Sequence, residues 1–137
     1  MYSSIMVPVD LAHVDQLGKA LQTAADLAKH YDATITYLGA TTPEPNEMAH
    51  TPQEFEQKLK AFAEKQGSDN GIKVACKSVV AHDPTVDLPD VLTDAIDSSK
   101  ADLVVMQSHQ PGMAEHVFAS HAGWVASHSH TSVMVIR

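Results

Sequence analysis

The chain has 137 residues, of which 44% are apolar and 19% charged, a size and composition typical of one globular domain. We therefore expect residues 1–137 to form a single domain. The net charge is −8, from 17 acidic and 9 basic residues. Because the basic residues form no stripe, binding to nucleic acid or to a membrane surface is disfavoured. No export signal or long apolar run is present, so we expect a cytoplasmic protein.

Strand-like segments alternate with amphipathic helices along the chain. The first strand is predicted around Ile5–Val7, where a short apolar run ends at Pro8. A helix is predicted over about 15–31, because apolar residues recur there every three or four positions. Further strands are predicted at about 34–41, 72–81, 102–107 and 132–137.

Three more helices are predicted from capping residues and apolar spacing. The second spans about 51–67, where Thr51 and Glu54 form a capping box and Pro52 takes the first helical position. The third follows residues 82–84, with Pro89 expected in its first turn. The last is predicted at 117–128.

This alternation predicts an α/β fold with an open, doubly wound, parallel five-stranded sheet and helices on both faces. The first and fourth strands are the most continuously apolar, so we expect them to be neighbours in the middle of the sheet. The predicted strand order is 3-2-1-4-5. In such sheets ligands bind beyond the carboxyl ends of the strands where the order reverses, which here is between strands 1 and 4.

Motifs at both ends of the chain resemble the universal stress protein family. They are IMVPVD at residues 5–10, MQSHQP at 106–111, FASH at 118–121 and SVMVIR at 132–137. The resemblance implies that an acid after the first strand approaches adenosine, that a backbone position at the end of strand 2 meets adenine, and that glycines cradle phosphates. Asp10 matches the acid and Ala40 matches the position at the end of strand 2. Ser120 matches the serine that follows the last of these glycines in the family pattern.

The glycines of the family's Gly-x-x-Gly and Gly-Ser pattern are replaced in this chain by Gln107, Gln110 and Ala119. Glycine lets backbone N–H groups come close to a phosphate, whereas larger side chains fill that space. We therefore expect a weakened or vestigial adenine-nucleotide pocket. The alternative is an ATP-binding protein with Mg²⁺ and slow ATP hydrolysis. The candidate pocket residues are Pro8, Val9, Asp10, Ala40, Met106, Gln107, Ser108, His109, Gln110, Ala119, Ser120 and His121.

Simpler roles compete with ligand binding at several of these residues. Asp10 is equally well interpreted as a cap of the turn after strand 1. Ser108 and Ser120 lack a nucleophile-elbow sequence and suit helix capping, so no catalytic residue is predicted. Five of the nine histidines fall in the last thirty residues without helical metal-ligand spacing, and Cys76 is the only cysteine. No metal site is predicted.

The last strand, at residues 132–137, would be an edge strand with four consecutive apolar residues. Such an edge invites pairing with another chain, and members of the resembled family commonly dimerise through this strand. We expect a homodimer formed through residues 132–137. The expected function is that of a non-enzymatic stress-response or regulatory module, recognised by a protein partner that the sequence does not identify.

Overall fold

The computed structural model describes residues 1–108 and 121–137, with only the backbone for residues 84 and 85. The helices and strands are β1 (Ser4–Pro8), α1 (Gly18–Tyr31), β2 (Thr34–Thr41), α2 (Pro52–Asn70), β3 (Lys73–Val80), α3 (Pro84–Ser99), β4 (Leu103–Gln107), α4 (Ala122–His128) and β5 (Ser132–Ile136). A 3₁₀ segment, Leu11–Gln16, precedes α1. In the described ranges, no helix is both long and apolar enough to cross a bilayer.

The five strands form one parallel sheet in the order β3-β2-β1-β4-β5, which confirms the predicted topology. Ile5 on the central strand lies opposite Ile35 of β2 and Leu103 of β4. Every residue of β4 is buried, as are four of the five residues of β1. Continuous burial explains why these two strands carry unbroken apolar runs.

Two hydrophobic clusters, one on each face of the sheet, form the core. Ile5 packs with α1 and α2 in the first cluster, whereas the next residue, Met6, packs with α3 and α4 in the second. Alternation of side chains along each strand produces this division. The predicted covering of both sheet faces by helices is thereby confirmed.

The start of α2 is capped as predicted. Thr51 is the N-cap, and its hydroxyl accepts a hydrogen bond from the Glu54 N–H at 3.1 Å. The Glu54 carboxylate accepts from the N–H of His50, also at 3.1 Å, and this bond lowers the pKa of Glu54. The helix runs three residues beyond the predicted end and stops where Gly71 takes a positive φ of 65°.

Two predicted helix positions were wrong. The first α-helix begins at Gly18 instead of about residue 15, because the preceding residues form a 3₁₀ segment that is kinked at His13. Pro89 lies in the second turn of α3, not the first, since α3 already begins at Pro84. The carbonyl of Asp83 accepts the first N–H bonds of this helix.

Asp102 closes the amino-terminal edge of the sheet, between β1 and β4. Its carboxylate accepts hydrogen bonds from the Ser3 N–H at 2.9 Å, the Ser3 hydroxyl at 3.0 Å and the Ser4 N–H at 3.1 Å. Burial alone would raise the pKa of Asp102, but these donors hold that pKa below its ordinary value of 3.8. The backbone reinforces the join, since the Asp102 N–H donates to the Ser4 carbonyl.

Candidate functional site

A cavity of about 210 Å³ opens at the carboxyl edge of the sheet. It lies beyond the ends of β1, β2 and β3, between the 3₁₀ segment and the loop that follows β2. Its described lining consists of Val9, Asp10, Leu11, Ala12, His13, Ala40, Thr41, Thr42, Asn46, Glu47, Met48, Phe55 and Ala81.

Asp10 joins the end of β1 to the 3₁₀ segment and also lines the cavity. One carboxylate oxygen accepts the Ala12 N–H at 3.0 Å, so the aspartate caps this segment as one sequence interpretation predicted. The other oxygen lies 2.9 Å from Nδ1 of His13. The Asp10 side chain is only 9% exposed. Each carboxylate oxygen has two lone pairs, so capping does not prevent a ligand contact.

The loop after β2 forms the opposite wall and is organised by Asn46. The side-chain amide of Asn46 donates to the Thr41 hydroxyl at 3.2 Å, and its oxygen accepts the N–H groups of Met48 and Ala49 at 3.0 and 3.1 Å. The ammonium of Lys58 on α2 also donates to the Met48 carbonyl. These bonds join the loop to the end of β2 and to α2.

Phe55 of α2 supplies the apolar side of the cavity. The ring is 4% exposed and lies over Gly39 of β2. A Cβ at position 39 would come within 2.9 Å of two ring atoms, so the glycine permits this close approach. With Ala40, Met48 and Ala81 also in the lining, this side suits a flat, weakly polar group such as a nucleobase.

The structure brings together part of the predicted site. Val9, Asp10 and Ala40 all line the cavity. Pro8 is buried at the end of β1, opposite Leu38, and is not among the described lining residues. Met106 packs in the second hydrophobic cluster, on the other face of the sheet. The described lining thus extends from Val9 and Asp10, at the predicted reversal, toward β2.

On the β4 side, the other predicted site residues that the structure describes are Gln107, Ser108 and His121, and none of them is in the described cavity lining. Gln107 is 8% exposed, and its side-chain oxygen has no hydrogen-bond partner in the part of the chain that is described. Ser108 continues the pairing with β5 through its N–H, which lies 2.6 Å from the Ile136 carbonyl. His121 is half-buried beside α4. The remaining predicted residues, His109, Gln110, Ala119 and Ser120, lie outside the described residues.

Three of the lining residues were not predicted from the sequence: His13, Asn46 and Phe55. The signal for Asn46 was present, because asparagine in a proline-rich turn commonly binds nearby backbone groups. His13 follows Asp10 by three residues, a spacing that allows contact across a tight turn. Phe55 lies on the buried face of α2, and nothing in its spacing along that helix indicates a cavity.

The C-terminal histidines form no metal centre in residues 1–108 and 121–137, where no group of three histidine, cysteine or acidic side chains could hold an ion. His128 instead stacks on Trp124 of α4, with ring centroids 4.1 Å apart and planes 9° from parallel. Its Nδ1 lies 2.8 Å from the Trp124 carbonyl. This imidazole is thus held by its own helix.

The comparisons with known proteins all indicate the same family. A family model described as the universal stress protein family matches residues 1–137. Universal stress protein G of Salmonella typhimurium is 27% identical over 143 residues, covering 100% of both chains. A universal stress protein in complex with cAMP superimposes with a TM-score of 0.69 at 20% identity, covering 99% of this chain and 97% of the other. The Archaeoglobus fulgidus protein in complex with dAMP gives 0.69 at 19%, covering 99% and 98%.

Proposed function

The chain belongs to the universal stress protein family, and on that premise we propose that it is a non-enzymatic, cytoplasmic regulatory module with a weakened adenine-ligand pocket. The observation that carries the proposal is the cavity beside Asp10 at the carboxyl edge of the sheet. Two solved structures with this fold contain adenine nucleotides, cAMP and dAMP. In this role, a protein partner would recognise the surface of the protein, and ligand binding would alter that surface.

The lining supports an adenosine site because acidic and apolar residues occupy separate parts of it. Asp10 supplies a nearly buried carboxylate that can accept hydrogen bonds from ribose hydroxyls. Ala40 and Phe55 lie on the β2 side, where a base could pack. Both Asp10 and Ala40 are the positions that the family resemblance assigns to adenosine contacts.

The β4 side supports the weakened part of the proposal. Gln107 occupies the position of a phosphate-binding glycine in the family pattern, and its side chain is buried. A glutamine side chain takes up space that a phosphate would need, and its backbone is less free than that of glycine. Triphosphate binding is therefore expected to be poorer than binding of the adenosine half.

An ATP-binding protein with slow hydrolysis is the second candidate. The observation that favours it is the volume of the cavity, about 210 Å³, at the ends of β1 and β2. Mg²⁺ would then accompany the phosphates, because the sequence has no lysine or arginine between Lys100 and Arg137 to offset their charge. Measurement of phosphate release from Mg-ATP separates the two candidates, since only the second predicts turnover above the buffer rate.

Thermal unfolding with adenosine and with Mg-ATP tests the pocket. A ligand at ten times its Kd stabilises the folded state by about 1.4 kcal/mol, which corresponds to roughly 3–5 °C in Tm for a chain of this length. We expect this shift with adenosine and a smaller one with Mg-ATP. Ala40→Phe should abolish both, because it fills the cavity, whereas Ala75→Phe on the exposed surface of β3 should not.

A triple variant with glycine at positions 107, 110 and 119 is the positive control for this experiment. It should increase the shift caused by Mg-ATP more than the shift caused by adenosine. No shift with either ligand, in the wild type and in the triple variant, would contradict the proposed pocket.

We also propose a homodimer formed through β5. This strand ends the sheet, and it exposes 37% of Met134 and 40% of Val135. Apolar side chains on an edge strand favour pairing with a second copy. Val80, on the opposite edge strand β3, is also 40% exposed, which makes it a matched control position.

Light scattering tests the dimer. The wild type should have twice the 14.7 kDa mass of one chain, and Val135→Lys should reduce it to the monomer mass by placing a charge in the interface. Val80→Lys should remain dimeric. A wild-type monomer at micromolar concentration refutes the dimer, and dissociation by both variants refutes the choice of β5.

A further inference from the structure

The described cavity lining includes Thr41, the last residue of β2. Although it is polar, Thr41 is only 7% exposed. It follows Gly39 by two residues, so the two positions share one face of the sheet. A Cβ on Gly39 would point at Phe55, which also lines the cavity. The Thr41 side chain therefore lies on the sheet face that carries the apolar wall of the cavity.

Asn46 determines how the Thr41 hydroxyl can be used. The side-chain oxygen of Asn46 accepts the N–H groups of Met48 and Ala49, at 3.0 and 3.1 Å. Because a backbone N–H can only donate, these two bonds fix the orientation of the amide, and the amide nitrogen faces the Thr41 oxygen at 3.2 Å. An amide nitrogen also only donates. The Thr41 oxygen is therefore the acceptor in this bond.

A hydroxyl that accepts a hydrogen bond still has one O–H to donate. In the part of the chain that the structure describes, the Thr41 O–H has no acceptor. The neighbouring Thr42 differs, because its hydroxyl accepts from Asn46 at 3.2 Å and also donates to the Glu44 carbonyl at 3.2 Å. Buried donors in proteins are normally paired. The Thr41 O–H is thus a buried donor at the cavity wall, available to a ligand.

We propose that Thr41 is a specificity-determining residue, which donates a hydrogen bond from its hydroxyl to a ring nitrogen of a bound adenine. Asn46 is the positioning residue that keeps this hydroxyl a donor. The inference rests on the proposed function of the same site and narrows it. The N1, N3 and N7 atoms of an adenine nucleoside carry lone pairs and no hydrogen, so they are acceptors. A base without an acceptor at this point leaves a buried donor unpaired, which lowers affinity.

Calorimetry with adenosine and its 1-deaza, 3-deaza and 7-deaza analogues tests the donor. Each analogue replaces one acceptor nitrogen by C–H and keeps the shape of the base. At least one analogue should bind the wild type about fivefold more weakly than adenosine, as expected for the loss of one neutral hydrogen bond. Thr41→Val should bind adenosine about fivefold more weakly than the wild type does. It should bind that analogue and adenosine equally, because the donor is already absent.

Two further variants on β2 are controls. Thr41→Ser keeps the hydroxyl and should retain the preference for adenosine over the same analogue. Thr36→Val makes the same chemical change earlier in the strand, outside the described lining, and should leave both affinities unchanged. Thermal unfolding without ligand shows whether each variant is folded.

Asn46→Asp tests the positioning role. A carboxylate at this position can still accept the N–H groups of Met48 and Ala49, but it cannot donate to Thr41. It would instead accept the Thr41 O–H and withdraw this donor from the ligand. Adenosine affinity should therefore fall at least about fivefold. Addition of Thr41→Val to Asn46→Asp should cause little further loss, whereas two independent effects would multiply.

The outcomes separate this inference from the proposed function. Loss of the analogue preference in Thr41→Val, with its retention in Thr41→Ser, supports both. If adenosine binds Thr41→Val as tightly as the wild type, or if both proteins show the same analogue preference, the hydroxyl is not the donor and the adenine pocket stands. Multiplying effects of Asn46→Asp and Thr41→Val overturn the positioning role. Absence of adenosine binding at millimolar concentration overturns the pocket, and the inference with it.

Discussion

The two edges of the sheet each carry an aspartate, and the two are used differently. At the amino edge, Asp102 accepts three hydrogen bonds from Ser3 and Ser4 and ties β4 to the start of β1. At the carboxyl edge, Asp10 accepts a capping bond from Ala12 and also lines a cavity. A carboxylate thus joins two strands at the amino edge, whereas at the carboxyl edge a carboxylate lies where a ligand could bind.

This difference follows from the topology of a parallel sheet. At the carboxyl edge the chain leaves the neighbouring strands β1 and β2 for different elements, a 3₁₀ segment and the Asn46 loop, and a cavity lies between them. At the amino edge the incoming segments converge, and the N–H of Thr34 and that of Asp102 bond to Ser3 and Ser4. Substitutions at the amino edge should therefore affect stability alone, and those at the carboxyl edge should affect ligand binding.

The largest expected effect on stability is at Gly39. This residue packs against Phe55, which belongs to the hydrophobic core and also lines the cavity. Gly39→Val should destabilise the protein by about 2 kcal/mol through overpacking against Phe55, because a Cβ would lie 2.9 Å from the ring. Displacement of the ring should also weaken adenosine binding. Urea unfolding and calorimetry measure the two effects.

Gly18→Ala is the control for this substitution, since no described atom beyond its chain neighbours and its own helix backbone lies within 4 Å of an added Cβ. It should leave stability unchanged or raise it by a few tenths of a kcal/mol. An unchanged free energy of unfolding in Gly39→Val would show that the Phe55 contact is not the constraint inferred here.

A smaller effect is expected at the amino edge. Asp102→Asn should cost about 1 kcal/mol at neutral pH, because a charged acceptor is replaced by a neutral one. Since the pKa of Asp102 is lowered in the folded state, its contribution is complete above the ordinary value of 3.8 and is lost as pH falls through the lowered pKa. The variant should therefore lose less stability than the wild type on acidification.

Denaturant midpoints from pH 7 down to about pH 2.5 measure this difference. Adenosine affinity at pH 7 should be the same in Asp102→Asn and in the wild type. If folded Asp102→Asn does not bind adenosine, the amino edge affects ligand binding as well as stability, which contradicts the division of roles between the two edges.

The smallest effect, with the opposite sign, is expected at Gln107. Gln107→Leu should stabilise the protein by up to about 1 kcal/mol, because it removes a buried oxygen without a partner in the described residues and keeps a similar volume. Adenosine binding should fall if that oxygen accepts from the ligand. Destabilisation, measured by urea unfolding, would indicate that the amide is satisfied in solution and is no part of the crevice chemistry.

Most of the fold could be predicted from the sequence because it depends on patterns that repeat over many residues. The apolar runs of β1 and β4 indicated the middle of the sheet, and Thr51 with Glu54 marked the start of α2. Pro89 was misplaced because proline is best suited to the first turn of a helix, whereas α3 begins five residues earlier, where the Asp83 carbonyl accepts its first N–H bonds. Helix boundaries depend on such single contacts.

The candidate site could be predicted only in part. Asp10 and Ala40 follow strand ends, so their place at the carboxyl edge followed from the topology. Phe55 and Asn46 line the cavity through contacts that spacing does not reveal: a ring seated on Gly39, and an amide shared between Thr41 and its own loop. Those contacts also explain why the described lining extends toward β2.

The stacked pair on α4 gives this protein an optical reporter. Trp124 is the only tryptophan in the chain, and its indole lies face to face with the imidazole of His128. Because the imidazole lies in contact with the indole, tryptophan emission should respond to any change that separates the two rings. Changes in packing at α4, beside β5, could thus be followed by intrinsic fluorescence without a label.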